Sequence, residues 1–249
     1  MKNLAIGIDI GGSGIKAAVV DLDTGKLHSE RFRIATPEGG KPDQIAAVCK
    51  SLVEQLDIAA SMPIGICFPA VVRNGVTMSA ANVSDDWIGL DAASLFSKLL
   101  GQEVRVINDA DAAGVAEIKF GSGKDKTGLV IMTTLGTGIG SAIFFDQVLV
   151  PNSELGHLDI GSVINIETYA SSAAFEREHL SYEQWAKRLQ GFYEHLEKIL
   201  SPDLFIVGGG ISKDHESFLP LLNLGTPIVP AMTKNAAGII GAALSAARR

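Results

Sequence analysis

Apolar residues fall in short runs, each closed by glycine or by an acidic turn. The run Leu4-Ala5-Ile6-Gly7-Ile8 ends at Asp9 and predicts a buried strand. The turn Gly11-Gly12-Ser13-Gly14 follows, and residues 15–21 predict a second strand. Asp23-Thr24-Gly25-Lys26 reads as a hairpin turn, after which residues 27–34 alternate as a third strand. Ile45, Val48, Leu52, Val53 and Leu56 recur at helical spacing, so a helix is expected over 42–56. Residues 63–68 form a short apolar strand. Asp91 is placed to cap a helix running to 100, residues 104–107 predict another strand, and Asp109 opens a helix to about 120.

A second cycle then starts. Residues 128–134 are an apolar strand, followed by the turn Leu135-Gly136-Thr137-Gly138-Ile139-Gly140 and by strands over 141–145 and 148–150. Helices are expected over 168–178 and 182–200, the second with Trp185 and Tyr193 on a face that is either core or interface. Residues 204–207 are a strand closed by Gly208-Gly209-Gly210, then come a helix over 215–222, a strand over 227–229 and an alanine-rich helix over 236–247. Each half therefore gives three strands, with a glycine turn after the first, and then alternating helices and strands. Two similar α/β units facing each other would leave a cleft, where loops at strand ends bind ligands.

The bulk properties narrow the function. A chain of 249 residues can bury a sizeable core in one large or two modest domains. Its net charge of −7 argues against general binding to nucleic acid or to an anionic membrane. No apolar run approaches the ~20 residues of a membrane span, and the N-terminus turns acidic too soon for a signal peptide. A reducing, cytoplasmic setting is expected. Cys49 and Cys67 form no CxxC pair and read as small buried hydrophobes.

The placement of glycine is more telling. Three clusters, Gly11-Gly12-Ser13-Gly14, Gly136-Thr137-Gly138-Ile139-Gly140 and Gly208-Gly209-Gly210, each follow an apolar strand. Glycine lets backbone N–H groups approach an anion with no Cβ in the way. Ser13 and Thr137 add hydroxyl donors, and Lys16 a compact positive charge. One such cluster is more often a structural turn, but three at matching positions point to phosphate. Gly121-Ser122-Gly123-Lys124-Asp125 fails the Walker A pattern at its first glycine and its last residue. The 136–140 turn has GxGxG and leads into a strand, so it is no dinucleotide fingerprint.

Asp9-Ile10-Gly11-Gly12-Ser13-Gly14-Ile15-Lys16 resembles the first phosphate motif of the sugar kinase, actin and chaperone ATPase superfamily. Residues 135–140 resemble its second motif, and Gly208-Gly209-Gly210-Ile211 its nucleotide-side motif. Within it the chain resembles the ROK family of sugar kinases and regulators over nearly its whole length. The segments Asn108-Asp109-Ala110-Asp111-Ala112-Ala113, Pro151-Asn152-Ser153-Glu154-Leu155-Gly156-His157-Leu158 and Pro202-Asp203-Leu204-Phe205-Ile206-Val207 also carry that resemblance. It is strongest to the branch that phosphorylates glucose from inorganic polyphosphate. It implies an α/β fold of two ribonuclease-H-like lobes around a cleft. The first lobe would span 1–108, with a helix over 236–249 packing back on it, and the second 109–235. It also implies a homodimer and Mg²⁺ as cofactor, with Asp9 near the metal directly or through water. Donor phosphates would meet Asp9, Gly11, Gly12, Ser13, Gly14, Lys16, Thr137, Gly138, Gly209 and Gly210.

A sugar hydroxyl is a poor nucleophile at neutral pH and needs a carboxylate to take its proton. Asp109, between a strand and a helix, fits that role; its bland reading is a helix N-cap. Asp111 reads as a first-turn carboxylate favoured by the helix dipole. By resemblance, glucose would be held by Asn82, Asn108, Glu154, His157 and Glu167. Many ROK proteins follow this histidine with a zinc-binding cysteine cluster. Residues 158–167 contain no cysteine, so no zinc is expected and His157 is left for the sugar. The polyphosphate branch shares that short segment.

A polyphosphate donor would need a basic track, for which Lys16, Lys124, Lys126, Lys213 and Lys234 are candidates, although most lysines are solvated surface charges. An ATP-dependent hexokinase for glucose or mannose would share every residue named. A ROK regulator would need a helix-turn-helix that the sequence does not show. An actin- or chaperone-like ATPase would lack Asn108-Asp109 and the Glu154/His157 pair.

Overall fold

The computed structural model describes residues 3–57, 62–80 and 82–247. They form two compact units, one of the chain up to Ala116 together with the chain from Ala236, the other of Glu117–Asn235.

The first unit runs β1 (Leu4–Gly11), β2 (Gly14–Asp21), β3 (Phe32–Ile34), α1 (Pro42–Gln55), β4 (Ile64–Phe68), the small ladder β5 (Val72–Arg73) and β6 (Val76–Thr77), α2 (Ala92–Leu100), β7 (Val104–Asn108) and the start of α3 (Asp109–Phe120). Its sheet has the order β3-β2-β1-β4-β7. The first three strands are antiparallel, and β1, β4 and β7 are parallel. Ile8, Ile66 and Phe68 of the sheet pack with Ile45 and Leu52 of α1 and with Trp87 and Phe96. The Trp87 ring lies 4.4 Å from that of Phe68, and its Nε1 donates to the Gly40 carbonyl at 2.9 Å, so its polar tip is satisfied inside the core.

The second unit runs β8 (Leu129–Leu135), β9 (Ile139–Phe145), β10 (Val148–Val150), α4 (Glu167–Ala170), α5 (Ser172–Arg177), α6 (Tyr182–Leu200), β11 (Leu204–Gly208) and β12 (Ile228–Pro230). Its sheet order, β10-β9-β8-β11-β12, repeats the first in sequence and in strand direction. This is the duplication expected from the two cycles, in the ribonuclease-H-like form that the family resemblance implies. A capping box starts α6: Ser181 Oγ accepts from Gln184 N at 3.3 Å, and Gln184 Oε1 accepts from Ser181 N at 2.8 Å. Trp185, Leu189, Phe192, Tyr193 and Leu196 line its buried face, so both aromatics in question are core.

The chain returns to the first unit as α7 (Ala237–Ala247). Here the backbones touch. A Cβ on Gly65 would lie 1.8 Å from the Ala242 carbonyl oxygen, and one on Gly241 1.7 Å from that of Ala112. Residues 248–249 of the expected terminal helix lie outside the described residues. Among the described residues no helix is long and apolar enough to cross a membrane.

Four expectations change. The third strand is only Phe32–Ile34, because Ser29 Oγ accepts from Val19 N at 2.9 Å and takes a donor that a ladder would use. The helix over 168–178 breaks at Ser171, which is extended and caps α5 by accepting from Ala174 N at 3.2 Å. The helix over 215–222 is replaced by 3₁₀ turns, Gly210–Ser217 and Leu219–Leu221, with Pro220 unable to donate to a longer helix. The division between units falls within α3 rather than at 108/109. Ala112 packs on Gly241, whereas the Glu117 carboxylate accepts from Ser122 N at 2.8 Å and Thr233 N at 2.6 Å.

Candidate active site

In the first unit, the parallel strands β1, β4 and β7 end side by side. Asp9 pairs with Cys67 across β1 and β4, and Phe68 with Asn108 across β4 and β7. Asp9 and Asp109 are therefore brought to the carboxyl edge of the sheet, where open α/β sheets bind ligands. Lys16 lies opposite Asp9 on β2, with Nζ 3.0 Å from Asp9 Oδ2. The buried Cys67 thiol donates to Asp9 Oδ1 at 3.4 Å. Burial pushes that thiol well above its ordinary pKa, and the charges of Asp9 and Asp109 push it further. Cys67 is thus a neutral hydrogen-bond donor and no nucleophile.

Asn108 and Asp109 sit in different settings. Asn108 is buried; its Oδ1 accepts from Asp111 N at 3.0 Å and its Nδ2 donates to the Ala70 carbonyl at 3.0 Å. Asn108 therefore supplies the capping bond of α3. Asp109 is the exposed first residue of the helix, with Oδ1 accepting from Ala110 N at 2.8 Å. The bland reading of Asp109 passes to its neighbour. Asp111 is buried in the first turn, as a dipole-favoured carboxylate would be.

The β1–β2 turn has Gly11 paired with Gly14 and Gly12-Ser13 exposed at its tip. Asn82, in the left-handed region at φ 61°, abuts it: a Cβ on Gly12 would lie 3.1 Å from Asn82 Cβ. One expected sugar residue therefore adjoins an expected donor turn.

The second unit gathers three more. His157 sits in the short turn Leu155–His157, with Nδ1 3.8 Å from Glu154 Oε2 and Nε2 3.5 Å from Glu167 Oε1. Those spacings leave the ring, 58% exposed, loosely held between two carboxylates. Glu167 lies over the β8–β9 turn, where its Oε2 accepts from Ile139 N at 3.0 Å. Burial raises the Glu154 pKa; the His157 charge opposes that shift and the Glu167 charge reinforces it.

The same turn carries Gly136, exposed Thr137 and Gly138, closed by Gly136 N donating to Gly138 O at 3.0 Å. Gly209 follows β11 with φ 86°, and a Cβ there would lie 2.2 Å from the Leu135 carbonyl oxygen, so only glycine fits. A cavity of about 550 Å³ has Gly136, Thr137, Phe175, Tyr182, Gly210 and Lys213 among its walls. The second and third glycine clusters thus share one cavity. Lys124, Lys126, Lys213 and Lys234 are exposed, while Lys16 is paired rather than free.

Two supporting residues have no local signature in the sequence. Ser141 Oγ accepts from Leu155 N at 3.0 Å and donates to the Ser153 carbonyl at 2.8 Å, which fixes the segment bearing Glu154 and His157. Thr36 Oγ1 donates to the Gly11 carbonyl at 2.5 Å. Both act across sequence gaps that no short motif records.

Residues 5–184 match the ROK family. The chain is 45% identical over 241 residues to the polyphosphate glucokinase of Mycobacterium tuberculosis, covering 96% of this chain and 89% of that one. It superimposes on the inorganic polyphosphate/ATP-glucomannokinase of Arthrobacter sp. strain KM with a TM-score of 0.94, at 50% identity and with 98% of each chain covered. A ROK family glucokinase from Streptomyces griseus, solved with glucose and AMPPNP, superimposes at a TM-score of 0.82 with 26% identity, covering 98% of this chain and 99% of that one. With residues 5–184 matched to the family and 45% identity held over 96% of its length, the chain belongs to the ROK family.

Proposed function

We propose that the chain is a polyphosphate-dependent glucokinase in which Asp109 is the general base. The observation that supports this reading is the exposed Asp109 carboxylate at the carboxyl edge of β7, beside Asn108, whose Oδ1 caps α3. The activities named for the relatives, at 45% and 50% identity, support the same substrates.

The glucose 6-hydroxyl oxygen attacks the terminal phosphorus of the donor while Asp109 takes the hydroxyl proton. The bond from phosphorus to the bridging oxygen breaks, and the shortened polyphosphate leaves. Base catalysis of this kind supplies about 10²–10⁴ in rate, and positioning and charge neutralisation supply most of the rest. Asn82, Asn108, Glu154, His157 and Glu167 are assigned to the sugar hydroxyls. The turns bearing Gly11, Gly12, Ser13, Gly14, Thr137, Gly138, Gly209 and Gly210 are assigned to donor phosphates.

Asp9 suits Mg²⁺ held through water. Its Oδ2 already pairs with Lys16 and its Oδ1 accepts from Cys67, and Mg²⁺ keeps most of its waters beside one or two carboxylates and substrate phosphates. The ion would neutralise charge on the donor phosphates. No structural zinc belongs to this reading; stoichiometric zinc in the purified chain would contradict it. A cytoplasmic homodimer is part of the reading on family resemblance, and static light scattering checks the dimer.

A second reading, ATP as donor, is favoured by the cavity of about 550 Å³. Phe175 and Tyr182 offer aromatic walls to a base, and Lys213 a cation to phosphates. Glucose 6-phosphate formation with Mg²⁺, measured with polyphosphate and with ATP in parallel, separates the two. Product from polyphosphate supports the first reading. Product from ATP alone leaves only the second, and no product from glucose or mannose with either donor defeats both.

A further inference from the structure

Asp9, Lys16 and Arg33 form one row across β1, β2 and β3, since Lys16 pairs with Asp9 on one side and with Arg33 on the other. Directly opposed residues share a face of the sheet. Asp9 neutralises Lys16 at 3.0 Å. Among the described residues no carboxylate pairs with Arg33 within 4.0 Å. The row thus ends in an uncompensated guanidinium.

That guanidinium lies on the β1–β2 turn. Arg33 Nη2 donates to the Ser13 carbonyl at 2.8 Å. A Cβ on Gly14 would lie 2.6 Å from Arg33 Nε, 2.7 Å from Nη2 and 2.8 Å from Cζ, so the planar group sits flat over the glycine. Thr36 ties the Gly11 carbonyl from the same side. With the carbonyls of Gly11 and Ser13 occupied, an anion arriving at this turn meets N–H groups and a cation. Most of the guanidinium's N–H groups are left over, in the fork geometry that matches phosphate oxygens.

We propose that Arg33 is a donor-binding residue, the cation that grips the phosphate chain at the β1–β2 turn in place of the neutralised Lys16. This rests on the kinase reading and assigns a specific group to its donor. The test is calorimetric titration of the full chain with inorganic tripolyphosphate, comparing wild type, Arg33→Met and Arg33→Lys, with glucose affinity and the urea midpoint measured on each. Arg33→Met should bind tripolyphosphate about tenfold or more weakly, the scale of one lost charge-assisted hydrogen bond. Arg33→Lys, which keeps the charge and loses the fork, should fall between, with glucose affinity unchanged in both. Equal tripolyphosphate affinity in wild type and the variants, no affinity in wild type, or a parallel loss of glucose affinity would overturn the proposal. Glucose phosphorylation by wild type, followed alongside, decides the kinase reading separately.

Discussion

Asn108 and Asp109 are adjacent, polar and similar in size, yet Asn108 is buried where it caps α3 and Asp109 is exposed. Asn108 commits its Oδ1 to Asp111 N and one Nδ2 hydrogen to the Ala70 carbonyl, leaving a second N–H. Asn108→Ala should therefore lose about 1–2 kcal/mol of stability, the worth of a helix cap, and leave a buried carbonyl short of a partner; urea unfolding measures this. Glu154 carries a charge effect of definite sign. Burial places its folded pKa above its unfolded value. Between those two values the native state binds the extra proton, so stability falls as pH rises, and the cost is complete above the folded pKa. Glu154→Gln should thus be more stable than wild type at pH 7 and indistinguishable from it at about pH 3, below the ordinary carboxylate range. If Glu154 holds sugar, the same variant binds glucose more weakly. Denaturation at the two pH values and a glucose titration check both halves. At this scale a sequence records which residues are polar but not which bonds they already make. That Asn108 supplies the capping bond of α3 is legible only once its bond to Asp111 N is seen, and Cys67 reads as a plain hydrophobe until its thiol is found on Asp9.

Elements were the most legible level. Period-2 and period-3.6 runs separate strands from helices well where tertiary packing agrees with them, as in β1, β2, α1 and α6. They fail where side chains compete for backbone groups. Ser29 takes a β2 donor, Ser171 restarts a helix, and Pro220 cannot donate to a helix over 215–222. The closeness of α7 to the sheet and to α3 is also invisible in a pattern, because it depends on Gly65 meeting the Ala242 carbonyl and Gly241 that of Ala112. Gly65→Ala would force these backbones apart. It should cost about 1–3 kcal/mol or more, the range for overpacking a filled core, read as a lower urea midpoint. A variant as stable as wild type would show that α7 can shift without loss.

For the whole molecule, the strongest regularity is the repeated sheet, β3-β2-β1-β4-β7 and β10-β9-β8-β11-β12. The two cycles of strands and glycine turns foretell it, because a glycine-rich turn and a strand buried on both faces each leave a mark in composition. The point at which the chain passes between units is less legible, since α3 is one uninterrupted helix with its first turns packed in one unit and its end bonded in the other. Function at this scale reduces to one claim: a carboxylate at the end of β7 takes the proton of a glucose hydroxyl. The most direct test is the turnover of Asp109→Asn against wild type, at saturating glucose and polyphosphate with Mg²⁺, with glucose affinity measured on the same preparations. The account predicts a fall in kcat of about 10²–10⁴-fold with glucose affinity largely kept. Turnover within a few-fold of wild type would contradict it and move the base elsewhere.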